Sequence, residues 1–143
     1  MDALLLIGRI IFGGFFIYSG VNHFIGFEMM TQYAKMKGVP FPAIAQGVTG
    51  VLLLLGGLSI MFGVYPHIGI VLLVAFLLPV SFVMHNFWTL EDPQSRMADK
   101  VNFMKNMALL GAILMFLAIP MPWALSVGSV EVAFPNRQLK RNR

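Results

Sequence analysis

Four pairs of polar residues hold most of the chemistry available to this chain: Ser19 and His23, Gln46 and Thr49, Ser81 and His85, Asn102 and Asn106. Within each pair the spacing is three or four residues, which puts both members on one face of a helix. Asn22, Asn86, Trp88 and Lys105 lie close by in sequence. Together these side chains donate and accept hydrogen bonds, and imidazole exchanges a proton near neutral pH. That chemistry suits the binding of a polar ring or headgroup, provided the intervening segments bring the four pairs to one place.

Those segments are strongly apolar. Of 143 residues, 58% are hydrophobic and only 11% charged, against about 25% charged in a typical soluble domain. The apolar residues come in long runs, not in the interrupted stripes of amphipathic helices. Lipid is therefore the solvent for most of the chain. The first run lacks a basic leader and a small-residue cleavage site, so it is expected to be retained as a helix. Cysteine is absent, which excludes disulfides, thiolate metal sites and a dithiol redox pair within the chain. Electron transfer would need a bound cofactor or a partner. The 11 methionines are scattered; they read as flexible packing, and no metal site is expected.

A membrane-crossing helix needs about 20 apolar residues, and four segments qualify: roughly 3–25, 43–63, 66–86 and 104–123. The expected fold is all-α, an antiparallel bundle of four transmembrane helices occupying residues 1–125, with a basic tail over 126–143. GFEMMTQYAKMKGVPFP, in the first loop, has helical spacing and is expected to form a short interfacial helix. TLEDPQSRMADKV reads as a polar loop. Arg137, Lys140, Arg141 and Arg143 make the tail the densest basic cluster; beside a membrane domain it points to acidic lipid headgroups, not nucleic acid. The positive-inside rule then places both termini in the cytoplasm. Gly8, Gly13 and Gly20, Gly50 and Gly57, and Ala108, Gly111 and Ala112 are the expected helix contacts, since small residues let helices approach in lipid.

In an up-and-down bundle the C-terminal ends of spans one and three meet the N-terminal ends of spans two and four. All four polar pairs then lie at one level and form a cup with an apolar floor. Singly, each residue is ordinary at headgroup depth; as a set they suit a flat amphipathic ligand such as a quinone headgroup. A haem held between His23 and His85 is the weaker reading, because two histidines alone are more often hydrogen-bonding residues than ligands. His67 falls at the opposite end. Arg9 is the one charge deep in the first span. Either it snorkels to the nearby face, or it points inward toward an anion or an acidic partner subunit. Two heptads separate it from His23, about 21 Å along a helix, too far for one small ligand to touch both. Pro79 should kink the third span near the cup.

RIIFGGFFIYSGVNHF, GVTGVLLLLGGLSIMFGVYPHIG, LLPVSFVMHNFW followed by DP, and NFMKNMALLGA resemble the DoxX family of small bacterial four-helix membrane proteins, in order and over about residues 4–117. The family takes its name from the small subunit of thiosulfate:quinone oxidoreductase. The resemblance implies a multi-pass protein of the bacterial inner membrane near quinone chemistry. Arg9 matches the arginine of the family's first helix, and His23 falls where many members have lysine. Many members carry a glutamate in helix two, where this chain has apolar residues around Leu53. His85, Asn86, Trp88, Lys105 and Asn106 match a branch of the family.

The expected function is a quinone-interacting subunit of a membrane redox complex. His23 and His85 would bond the quinone oxygens, Asn102 and Asn106 would orient the ring, and Lys105 would stabilise negative charge. A bound quinone is the expected ligand, with no covalent cofactor. Other membrane subunits or further copies of the chain are the expected partners, since no self-contained redox centre is visible. The alternative is a non-catalytic structural or assembly subunit whose glycine-lined faces dock partner helices.

Overall fold

A computed structural model describes residues 2–127. It contains α1 (Asp2–Ile25), α2 (Phe27–Met36), α3 (Pro42–Phe62), α4 (Pro66–Val83) and α5 (Pro93–Met115), with short 3₁₀ turns at Phe87–Thr89 and Phe116–Ala118. Four of these elements, α1, α3, α4 and α5 with their flanking turns, are long and apolar enough to cross a membrane. The expected all-α bundle and the short helix of the first loop are both present. Of the basic tail, all but residues 126 and 127 lies outside the described residues.

Local chemistry sets the helix ends. Proline stands at the first turn of α3, α4 and α5, where its missing N–H costs no hydrogen bond. Gly63 closes α3 at φ 68° while the Val64 N–H bonds the Ser59 carbonyl at 3.1 Å, a Schellman-type stop that glycine accommodates without strain. Asp92 caps α5, its carboxylate accepting the Ser95 N–H at 2.8 Å.

The last span departs from its expected bounds of 104–123. Asp92 and Pro93 start the helix well before the apolar run, so most of the stretch read as a polar loop is the first turns of α5. Residues 93–98 and Lys100 are exposed there, whereas Asp99 is buried. At the other end the helix stops at Met115, before Pro120 and Pro122, which cannot continue it. The chain then folds back, and Trp123 joins the core at 2% exposure. Val127 is tied to the end of α3 through its N–H to the Phe62 carbonyl at 2.9 Å.

α1 packs on α3, α3 on α4, and α4 on α5. At the α1–α3 crossing the backbones themselves touch: a Cβ on Gly13 would lie 2.6 Å from the Gly57 carbonyl oxygen, and one on Gly57 would lie 2.8 Å from that of Gly13. Gly20 and Gly50 also sit in close contacts, whereas a Cβ on Gly8 or Gly111 would meet nothing within 4 Å. The buried core runs through Phe16, Leu53, Ile60, Leu73, Leu77 and Ile113. α1 and α5 are not packed along their length. Near the Arg9 end α1 meets the turn that follows α5, where the Phe12 and Phe116 rings stand 5.0 Å apart.

Arg9 does not snorkel. It is 0% exposed, donates from Nη2 to the Leu125 carbonyl at 3.0 Å, and lies over the Trp123 ring at 5.8 Å. Its Nε and Nη1 have no partner among the described residues. The fold-back after α5 supplies its cover, which the sequence reading of that segment as helix could not provide.

Candidate functional site

At the end opposite Arg9 the helices enclose a cavity of about 540 Å³. α1 contributes Phe15, Phe16, Ser19 and His23; α3 contributes Gln46, Thr49 and Leu53; α4 and its end contribute Phe76, Pro79, Val83 and His85; α5 contributes Lys105, Asn106 and Leu109. Met30, Tyr33 and Ala34 of α2 add to the lining. Phe15 and Lys105 line the cavity and are also exposed on the outside of the bundle. Tyr33 of α2 and Pro79 and Val83 of α4 are exposed lining residues as well, so the cavity reaches the surface on more than one side, the unpacked seam between α1 and α5 among them.

The sequence-selected residues divide into three groups. Ser19, His23, Gln46, Thr49, His85, Lys105 and Asn106 line the cavity. Ser81 does not: it is fully buried and its hydroxyl bonds the Leu77 carbonyl of its own helix. Asn22, Asn86, Trp88 and Asn102 also lie outside the lining. Trp88 packs on Phe82, Phe87 and Phe103. Asn102 accepts from Lys105 Nζ at 3.1 Å.

Helical spacing brought hydroxyls to the right faces but did not make all of them available. Ser19 donates to the Phe15 carbonyl at 2.9 Å, and Thr49 to the Ala45 and Gln46 carbonyls at 2.8 and 3.1 Å. Such back-bonding is the ordinary fate of Ser and Thr within helices. Gln46 Nε2 is also engaged, reaching the His23 carbonyl and the Met30 sulfur at 3.1 and 3.2 Å. Pro79 adds an acceptor instead of removing polarity, because it has no N–H to offer the carbonyl of Ala75; both residues line the cavity.

Two residues that the polar-pair reading passed over organise the cavity's rim. Lys37, directly after α2, places Nζ 2.8 Å from Asp99 Oδ2 and 3.1 Å from Asn86 Oδ1. The other Asp99 oxygen lies 3.2 Å from His85 Nδ1. One carboxylate therefore joins the first loop, the end of α4 and the start of α5. The Lys37 and Asp99 side chains are 13% and 9% exposed, so water screens the pair only in part. The signal for Asp99 was its heptad spacing from Asn106, together with the Asp-Pro helix start. The signal for Lys37 was weaker, a cation at the end of a short amphipathic helix.

The imidazoles of His23 and His85 both line this cavity, and both use Nδ1 within the protein. His23 Nδ1 lies 2.9 Å from the Ser19 carbonyl, and the ring stands edge-on to Phe76 at 5.8 Å. The arrangement offers polar contacts at the rim, aromatic walls and an apolar floor, which is how sites for small amphipathic molecules are built. Among the described residues no group of three His, Asp or Glu is placed to hold a metal ion.

The DoxX family profile matches residues 4–86, which carry α1 through α4 and end just short of the Trp88 turn. Inner membrane protein YphA of Escherichia coli (strain K12) is 31% identical over 124 residues, 87% of this chain and 87% of the relative. Inner membrane protein YqjF of the same strain is 32% identical over 132 residues, 88% of this chain and 90% of the relative. No solved structure matches. With four membrane-crossing helices and a family match over more than half its length, the chain is a multi-pass inner-membrane protein and belongs to the DoxX family.

Proposed function

We propose that this protein is a quinone-interacting subunit of a membrane redox complex. The observation that carries the reading is the cavity itself, to which α1, α3, α5 and the end of α4 each bring a polar side chain over an apolar floor. A quinone matches that division, with a flat polar head for the rim and an apolar body for the floor and seam. The seam between α1 and α5 lets a ligand dissolved in the bilayer reach the cavity without crossing water. With both termini in the cytoplasm, as the basic tail favours by the positive-inside rule, the cavity would lie toward the periplasmic leaflet.

His23 and His85 would hold the oxygens of the ring, with Asn106 beside them and Lys105 adding a positive charge that water screens in part. Asn102 acts through Lys105, which it holds. Electrons must come from a partner subunit, because the side chains themselves include no redox group.

The test is to purify the protein with its native lipids, extract it, and follow its thermal unfolding with added quinone. A quinone in the extract and a saturable rise in Tm that His85→Ala abolishes without unfolding the bundle is the expected result. An extract without quinone and a Tm that ignores added quinone overturns the proposal. A partner helix found seated in the seam would favour the structural or assembly role instead.

A further inference from the structure

We infer that the cavity selects the reduced, hydroxyl-bearing form of its ring ligand over the oxidised carbonyl form; this deepens the quinone reading and depends on it. A neutral imidazole carries its proton on one nitrogen and a lone pair on the other, and the partner of one nitrogen decides which. His23 Nδ1 faces the Ser19 carbonyl at 2.9 Å. A carbonyl only accepts, so the proton sits on Nδ1. His85 Nδ1 faces Asp99 Oδ1 at 3.2 Å, and Asp99 is ion-paired with Lys37 at 2.8 Å. An ionised carboxylate also only accepts, so His85 takes the same tautomer.

Both rings thus keep Nε2 as an acceptor, and neither Nε2 has a partner among the described residues. Both rings line one cavity. A quinone would set carbonyl lone pairs against these nitrogens, whereas a quinol offers an O–H to each. The obvious competing donors are weakened. Gln46 Nε2 is committed to the His23 carbonyl and the Met30 sulfur. Lys105 is exposed and held by Asn102, so water screens its pull on a carbonyl. Asn106 can turn either an N–H or an oxygen to the ligand, and Tyr33, which also lines the cavity, has a hydroxyl that donates or accepts; neither favours one form.

Asp99 is then a positioning residue, touching His85 and not the ligand. Asparagine at 99 could donate its amide N–H to His85 Nδ1, which would move the ring proton to Nε2 and turn that contact from acceptor to donor.

The experiment compares three ring probes on the full-length protein in detergent under argon, by thermal-shift titration: 1,4-dihydroxynaphthalene, 1,4-naphthoquinone and 1,4-dimethoxynaphthalene. The dihydroxy compound is expected to bind roughly tenfold more tightly than the other two, the discrimination a hydrogen bond to an otherwise unpaired acceptor supports. Asp99→Asn is expected to narrow or reverse the ratio between the diol and the quinone, and His85→Phe to weaken the diol selectively. If none of the three binds, the quinone reading falls, and this inference with it. If naphthoquinone binds as tightly as the diol or more so, the cavity binds quinones but the preference inferred here is wrong. A diol preference shared equally by the dimethoxy compound overturns it too, because the hydroxyl hydrogens would then contribute nothing. Should Asp99→Asn fail to fold, the wild-type comparison of the three probes still decides.

Discussion

Lys37 and Asp99, 62 residues apart in the chain, form a 2.8 Å ion pair that fastens the first loop to the last membrane-crossing helix. α2 forms one side of the cavity, and this pair joins the end of α2 to α5 by a charge contact. Removing one partner strands the other in a half-dry place. Asp99→Ala is expected to lower stability by roughly 2–3 kcal/mol, between the values for exposed and buried pairs. Lys37→Ala should act similarly, and the double variant should cost clearly less than the sum. Hydrogen exchange over residues 27–37 should quicken in each single variant; unchanged exchange would mean that apolar contacts alone hold α2.

Gly57 and Gly111 provide a matched pair of substitutions. A Cβ at Gly57 would lie 2.8 Å from the Gly13 carbonyl oxygen and 2.9 Å from the Ile17 backbone nitrogen, neither of which can rotate away. Gly57→Ala should therefore destabilise by about 1–3 kcal/mol, as overpacking does. At Gly111 nothing stands within 4 Å, and Gly111→Ala should be neutral or gain up to about 1 kcal/mol from helix propensity. Unfolding of the two variants in mixed micelles ranks them directly.

The Asp92 cap carries a pH dependence whose sign follows from its hydrogen bonds. The Ser95 side chain, and next its backbone N–H, hold the Asp92 carboxyl below its ordinary pKa. The cap therefore contributes its full stability above the ordinary aspartate range. That contribution is lost as pH falls through the lowered value. Asp92→Asn keeps an acceptor for the Ser95 N–H and removes the titration. Its Tm should fall less than that of the wild type between pH 6 and about pH 3, the range that brackets an ordinary aspartate; parallel curves would assign the acid sensitivity to other groups.

Arg9 and Trp123 should respond differently to replacement. Arg9→Met loses the bond to Leu125 and the contact with the ring, but also removes a buried guanidinium with two nitrogens unpartnered among the described residues. These effects oppose each other, so global stability should move by no more than about 1 kcal/mol. The segment 119–127 should nonetheless become open to protease. Trp123→Ala leaves the cation in place and removes its cover, and should cost about 3 kcal/mol or more. Limited proteolysis alongside thermal unfolding separates the two.

The four spans and the polar end of the bundle were legible because lipid demands long apolar runs and helical periodicity sorts what interrupts them. Ser19, Thr49 and Ser81 show where that logic stops. Periodicity gives a face, but a hydroxyl in a helix can satisfy itself on the preceding turn, and nothing in the spacing says whether it has. Asp99 was hidden for a different reason. It lies among Arg96, Lys100 and other exposed residues, so local polarity reads as loop. Only the Asp92–Pro93 start, which extends the helix back past it, puts it on the face of Asn106. The cover over Arg9 depends on a reversal after Ala118 that two prolines permit but do not specify.

That reversal bears on biogenesis. α1 leaves the ribosome before the other four helices, bearing a guanidinium that the finished bundle hides beneath Trp123 and Leu125, residues made more than a hundred positions later. Until they emerge, the first span has no apolar route to its final depth. Arg9 must wait at the headgroups or within the insertion machinery. Photo-crosslinks from position 9 should therefore reach lipid or translocon in stalled chains that lack residues 119–127, and vanish once those residues are released.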